Sequence, residues 1–157
     1  MVSPFLSGAA LMLTAGTFAS LGGLREDLFL YWEDVDLSLA AAAAGLRMAV
    51  VLGAQVWHAE GASSRREGDG GSAIYYRWTA RNRIVVSSDH RVGRPWSLVL
   101  GPGTAETARL LARALVRERR GRTHKAAEVV AGTWAGLRAA RSRRRWTGWP
   151  GDVGSAP

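Results

Sequence analysis

Three carboxylates, Glu33, Asp34 and Asp36, stand within four residues, directly after the aromatic run Phe29-Leu30-Tyr31-Trp32. A carboxylate that opens a helix meets unpaired N–H groups and the positive end of the helix dipole, which favour its ionised form. Ionised, it can take a proton from a hydroxyl as a general base, or ligate a divalent cation. The same residue types in a first turn also do no more than cap a helix. A second candidate, His58, follows Val56-Trp57 and precedes a Gly/Ser-rich stretch. Strand ends that give onto such loops are where α/β proteins place ligands, although a lone histidine there equally serves as a hydrogen-bonded structural residue. With the upstream carboxylates, His58 would complete an oxygen-rich site suited to Mg or Mn. The chain has no cysteine, which excludes disulfides, thiolate zinc sites and a cysteine nucleophile, and leaves His and carboxylate as metal ligands.

The elements that would position these groups can be read from pattern. Leu6 to Leu13 is a short apolar run that reads as a buried strand, though its periodicity alone does not separate strand from buried helix. Thr14 to Leu21 reads as a short helix closed by Gly22-Gly23, and Asp34 to Ala44 as a helix with carboxylates in its first turn, an Ala run and Gly45 at its end. Met48 to Leu52 and Gln55 to His58 are strand-like. Ala59 to Ser72 is a Gly/Ser/Arg loop, and Ala73 to Val86 a helix with Tyr75, Trp78, Asn82 and Val85 down one side. Arg91 to Gly103 breaks that helix. Thr104 to Arg120 follows the helical template with Ala108, Leu111, Ala112, Leu115 and Val116 as its apolar stripe and Thr104 as N-cap. A second helix spans Lys125 to Arg141 with Val130, Trp134 and Leu137 inward, and the end from Trp146 to Pro157 is frayed.

With 157 residues, 47% hydrophobic and 22% charged, the chain has the size and composition of one soluble domain. No charge falls in the first 24 residues. No basic segment precedes Phe5 to Leu13, as a signal peptide requires, and Gly, Ser and Thr interrupt any spanning stretch, so a buried strand and loop is expected there. The net charge of +8 divides into −4 over residues 1–76 and +12 over residues 77–157. Twenty of the 21 basic residues are Arg, and Lys125 is the single lysine.

The order Ser7-Gly8-Ala9-Ala10, Gly22-Gly23, Leu28-Phe29-Leu30-Tyr31-Trp32-Glu33-Asp34-Val35-Asp36-Leu37, Ala44-Gly45, Val56-Trp57-His58 and Arg81-Asn82-Arg83 resembles the C-terminal half of family 2 glycosyltransferases, rhamnosyltransferase-like and galactofuranosyltransferase-like members in particular. The Glu-Asp-Val-Asp-Leu block in its aromatic frame is the specific part, and the resemblance covers about residues 5 to 90. It implies an α/β fold, the C-terminal half of a Rossmann-like GT-A domain, followed by a helical Arg-rich tail. The implied domains are an acceptor-side half over 1–90, a linker over 91–103 and a basic tail over 104–157.

The implied activity is inverting transfer of a sugar from a nucleotide-sugar donor to a hydroxyl of a glycan or lipid-linked acceptor, in cell-envelope or polysaccharide synthesis. By the same resemblance Asp34 is the general base and Glu33 orients acceptor or donor. Trp32 is a stacking platform, Gly8 the point of close backbone approach to the donor, and His58 a ligand of a divalent metal, Mg or Mn. The sequence departs from the pattern at Leu24, which replaces the usual Phe, and at Ala40 to Ala44, where basic residues are usual. Ile74 stands where processive synthases carry Gln, which disfavours a polymerase.

The family's donor-binding half, with its Asp-x-Asp metal motif, is not found before Met1. Asp34-Val35-Asp36 has that spelling but lies in the acceptor-side block. The expectation is therefore an acceptor-side piece, with a non-catalytic, membrane-surface module that needs a separate donor-binding partner as the alternative. The Arg-rich segment 104–149, with Trp146 and Trp149, fits attachment to an anionic membrane surface, as it fits a merely solvated helix pair. The expected location is cytoplasmic, at the inner face of the cytoplasmic membrane. A pI of 11.3 also suits nucleic acid, but no helix-turn-helix, zinc or RNP signature is present, and no nucleic-acid partner is expected.

Overall fold

The structure is a computed structural model that describes residues 1–58, 71–90 and 102–142. The loop expected over 59–72 and the break over 91–103 fall mostly outside these residues, and the end after Arg143 falls wholly outside them. The chain divides into two units: one holds Met1–Phe29 and Glu33–His58, and the other holds Leu30–Trp32 with the described residues from 71 to 142.

In the first unit, helix α1 (Ala15–Ser20) starts at Thr14, whose hydroxyl accepts from Thr17 N at 3.1 Å. It ends where Gly22 and Gly23 take φ of 77° and 73°, left-handed angles that glycine adopts freely. Helix α2 (Glu33–Ala43) closes at Gly45, with Leu46 N donating to Ala41 O at 2.9 Å. Leu37, Ala40 and Ala41 of α2 form the core of this unit with Leu21 and Met48, and Leu6 and Leu11 pack on its edge.

The expected α/β fold with a Rossmann-like half is corrected here. Helices hold 64% of the described residues, strand pairing 2%, and there is no sheet among them. The apolar run from Leu6 to Leu13 has no β-branched residue, and Ser7 caps a single 3-10 turn over Gly8–Ala10 instead of leading a strand. The segments read as strands over 48–58 find one partner, an antiparallel bridge of Val2 with Ala49, flanked by Val50 N donating to Met1 O at 2.8 Å. A strand is stable only with neighbours that satisfy its backbone, and here one neighbour, residues 1–3, shares three backbone hydrogen bonds with residues 48–50 among the described residues.

The second unit is built on helix α3 (Ala73–Asp89), helix α4 (Pro102–Ala112) and helix α5 (Arg122–Ser142). Helix α3 starts at Ser72, whose hydroxyl accepts from Tyr75 N at 3.1 Å. Helices α3 and α5 touch backbone to backbone: a Cβ added to Gly132 would lie 2.1 Å from Arg77 O, and one added to Gly136 2.7 Å from Arg81 O. Tyr76, Ala80, Ala114 and Val129 fill one core cluster, and Ile84 packs on Leu137 beyond it.

The apolar stripes expected on the two basic helices are shifted. Helix α4 gives way at Arg113 to one π-helical turn, Arg113–Arg117, which buries Ala114 and leaves Leu115 and Val116 exposed. In α5 the close crossing selects the face with Val129, Gly132, Gly136 and Leu137, so Val130 and Trp134 face outward. Thr104 lies inside α4, not at its start.

Candidate functional site

In the first unit, two hydrogen bonds one helical turn apart tie the segment around Gly8 to α2. Gly8 N donates to Asp34 Oδ2 at 2.9 Å, and Leu6 N donates to Ser38 Oγ at 3.2 Å. A Cβ on Gly8 would stand 3.2 Å from Asp34 Cβ, so the bare glycine is what allows this approach. Asp34 Oδ1 accepts from Val35 N at 2.8 Å. The half-buried carboxylate thus uses two of its roughly four acceptor positions.

Glu33 differs. Its Oε2 is shut off from solvent and no donor reaches it. A buried acceptor without a donor costs about 1–3 kcal/mol, so this oxygen has hydrogen-bonding capacity in reserve. Asp36 is committed elsewhere: Arg25 Nη1 donates to its Oδ1 at 3.1 Å, and both side chains are buried. The same guanidinium holds both oxygens of Asp27 at 3.1 Å, which pins the turn before the aromatic run to α2.

The structure therefore brings Gly8 and Asp34 together and gives each member of the acidic block a separate setting. It does not bring His58 into a cluster with them. His58 is exposed, and among the described residues no three His, Asp or Glu side chains are close enough to share a metal. The described residues do not by themselves form a ligand set.

In the second unit, Tyr31 and Trp32 have φ of 66° and 75°, and in the first unit Phe29 has φ of 59°. Bulky residues in this left-handed region cost on the order of 1–3 kcal/mol each and persist only where the surroundings hold them. The holder of Tyr31 is Asn82, fully buried on α3, whose Nδ2 donates to Leu30 O at 3.0 Å and Tyr31 O at 2.8 Å. The Arg81 guanidinium donates to Asn82 Oδ1 and fixes the amide's orientation. The Tyr31 ring meets Tyr75 edge-on, centroids 5.2 Å apart. Trp32 is half-buried.

Sequence reasoning grouped Arg81-Asn82-Arg83 without a role. A polar amide in the middle of an otherwise apolar helix face was the available signal. It also missed Glu118, which is buried and receives Lys125 Nζ at 2.6 Å, the Tyr76 hydroxyl at 2.7 Å and Gly71 N at 3.0 Å. Burial opposes its ionisation, but the hydrogen bonds from Lys125, Tyr76 and Gly71 and the Lys125 charge prevail and lower its pKa below the ordinary carboxylate value. Burial, reinforced by Glu118, raises the Tyr76 phenol well above its usual range. Desolvation lowers the pKa of buried Arg83, which donates to Thr107 Oγ1 at 2.7 Å.

Two curated proteins are similar to this chain in sequence. Both are named N-acetylglucosaminyl-diphospho-decaprenol L-rhamnosyltransferase and come from Mycobacterium tuberculosis, strains CDC 1551 / Oshkosh and ATCC 25618 / H37Rv. Each is 29% identical to the chain over 127 residues, 79% of this chain and 40% of the relative. The chain thus spans well under half the length of the curated relatives it matches. No protein-family model matches it, and no solved structure does. The chain is distantly similar to a glycosyltransferase.

Proposed function

We propose that the chain is the acceptor-side part of an inverting glycosyltransferase that moves a sugar from a nucleotide-sugar to a hydroxyl of a lipid-linked glycan in cell-envelope synthesis. The observation that carries this reading is the Asp34 carboxylate, oriented by Gly8 N and Val35 N with acceptor positions to spare. In the proposed step Asp34 takes the proton of the acceptor hydroxyl while that oxygen bonds to the anomeric carbon. The bond from that carbon to the diphosphate breaks on the opposite face, and the nucleoside diphosphate leaves with the electron pair. The role of Glu33, orienting acceptor or donor, rests on its place beside Asp34 in the sequence. Gly8 positions Asp34 and leaves room for the donor. The roles of Trp32 as a stacking platform and of His58 as a ligand of Mg or Mn rest on their places in the sequence.

The same reading puts the chain at the inner face of the cytoplasmic membrane, held through the Arg-rich segment 104–149. Among the described residues no helix is long and apolar enough to cross a membrane.

The test is a transfer assay with a nucleotide-activated rhamnose and a polyprenyl diphosphate-linked N-acetylglucosamine. It uses the chain alone and the chain mixed with the portion of the relative that the match leaves uncovered. Asp34→Asn is expected to slow transfer by roughly 10²–10⁴-fold with the circular dichroism unchanged, the usual contribution of a general base. EDTA is expected to stop transfer and Mg or Mn to restore it. Near-full activity of Asp34→Asn removes it as base, activity in EDTA removes the metal, and no transfer in either arrangement refutes the reading.

A further inference from the structure

The first unit contains a cavity of about 160 Å³ that the acidic block does not use. Leu11, Leu21, Leu37, Ala41 and Met48 form its apolar wall, and Arg47 is its one charged lining residue. Arg47 is exposed and makes no ion pair among the described residues. The cavity is open at one side, where Met12 is 91% and Leu46 42% exposed. An apolar cavity of about 150 Å³ accepts a benzene-sized guest of six carbons. This one therefore has room for about one five-carbon isoprene unit, and the open side lets a longer chain continue outward.

Its place relative to Asp34 gives the cavity a use. Ser38, which lines it, lies one turn along α2 from Asp34, a rise of about 6 Å. The segment 6–8 runs beside both, bonded to Asp34 through Gly8 N and to Ser38 through Leu6 N. The cavity thus borders the same helix, α2, that carries Asp34, and Arg47 lies on its lining.

We propose that the cavity binds the first isoprene unit of a polyprenyl diphosphate, with Arg47 pairing with the diphosphate. The apolar lining selects the hydrocarbon, and the unpaired guanidinium offers the charge that a phosphate oxygen accepts. The assignment rests on the acceptor-side reading above and extends it to the lipid part of the acceptor.

Calorimetric titration of the full chain with farnesyl diphosphate, farnesol and inorganic diphosphate tests this without any transfer step. Farnesyl diphosphate is expected to bind more tightly than either of the others. Arg47→Gln, at an exposed position, is expected to weaken farnesyl diphosphate by about fivefold, the worth of one exposed charge pair, and to leave farnesol unchanged. Leu46→Trp, at the open side, is expected to weaken both lipids. Absence of farnesyl diphosphate binding, equal binding of inorganic diphosphate, or indifference to both substitutions overturns the proposal. Lipid binding with no transfer activity would keep the cavity and refute the enzymatic reading. Transfer activity with no lipid binding would do the reverse.

Discussion

Asn82 spends the N–H side of its amide on the backbone of another segment. Its two N–H groups hold the carbonyls of Leu30 and Tyr31, and its oxygen is occupied by Arg81. Alanine there would remove the Asn82 donor from both carbonyls and loosen an aromatic segment held at positive φ. Asn82→Ala is expected to destabilise the fold by about 2 kcal/mol or more in urea unfolding, and a change under about 0.5 kcal/mol would contradict the clamp. Glu118 permits a prediction in pH. Its native pKa lies below the ordinary value of 4.5, so between the two the unfolded chain holds a proton that the native chain does not. Stability from this group is complete above pH 4.5 and is lost as pH falls through the native value. The unfolding midpoint should therefore drop on acidification below pH 4.5 more steeply in the natural chain than in Glu118→Gln. That variant should already be weaker at pH 7 by about 3–5 kcal/mol, because Lys125 keeps a buried charge without its partner.

At the scale of elements, the crossing of α3 and α5 is set by what is missing from two positions. A methyl on Gly132 has nowhere to go but into the Arg77 carbonyl, so the helices would have to part. Gly132→Ala is expected to lower the thermal midpoint despite alanine's helix preference of about 1 kcal/mol, with overpacking costing about 1–3 kcal/mol or more. Gly16→Ala in α1, where nothing stands closer than 4.0 Å, is the control and should be neutral or stabilising. The helices themselves were legible in the sequence, because Thr14, Gly22-Gly23, Gly45 and the Ala run carry local signals of capping and propensity. Which face each helix buries was not. Periodicity gave α5 the stripe Val130, Trp134 and Leu137, but an approach this close is governed by glycines, and hydrophobicity scales give glycine little weight. The strand expectation failed for a related reason. Apolar runs at 6–13 and 48–52 look alike whether or not partners exist, and pairing is a property of the surroundings. In the site, the acidic block stood out by composition. The division of labour within it, with Asp36 given to Arg25 and Asp34 to Gly8, depends on contacts across 11 and 26 residues that no local pattern encodes.

For the molecule as a whole, charge is the property that the sequence states most clearly. The balance of −4 over residues 1–76 and +12 over residues 77–157 separates an acidic stretch holding Glu33 and Asp34 from a basic stretch of three helices and the arginines beyond them. Each basic residue near an anionic bilayer contributes about 1 kcal/mol, an attraction that salt screens. The chain is expected to float with phosphatidylserine-containing vesicles at low salt, to be released at high salt, and to ignore zwitterionic vesicles. Failure to float at low salt refutes the membrane-surface role. The likeness to the mycobacterial rhamnosyltransferases covers 40% of their length, so complementation with the uncovered portion measures what this chain contributes to transfer.

The buried pairing of Lys125 with Glu118 also has a practical side. Lys125 is the only lysine in 157 residues, and its ammonium is bound at 2.6 Å with little of the side chain exposed. No other side chain in these 157 residues carries a primary amine. Ester-based labels and amine cross-linkers therefore meet a surface with almost nothing to acylate, and any modification at Lys125 would report the opening of the helical unit that encloses it.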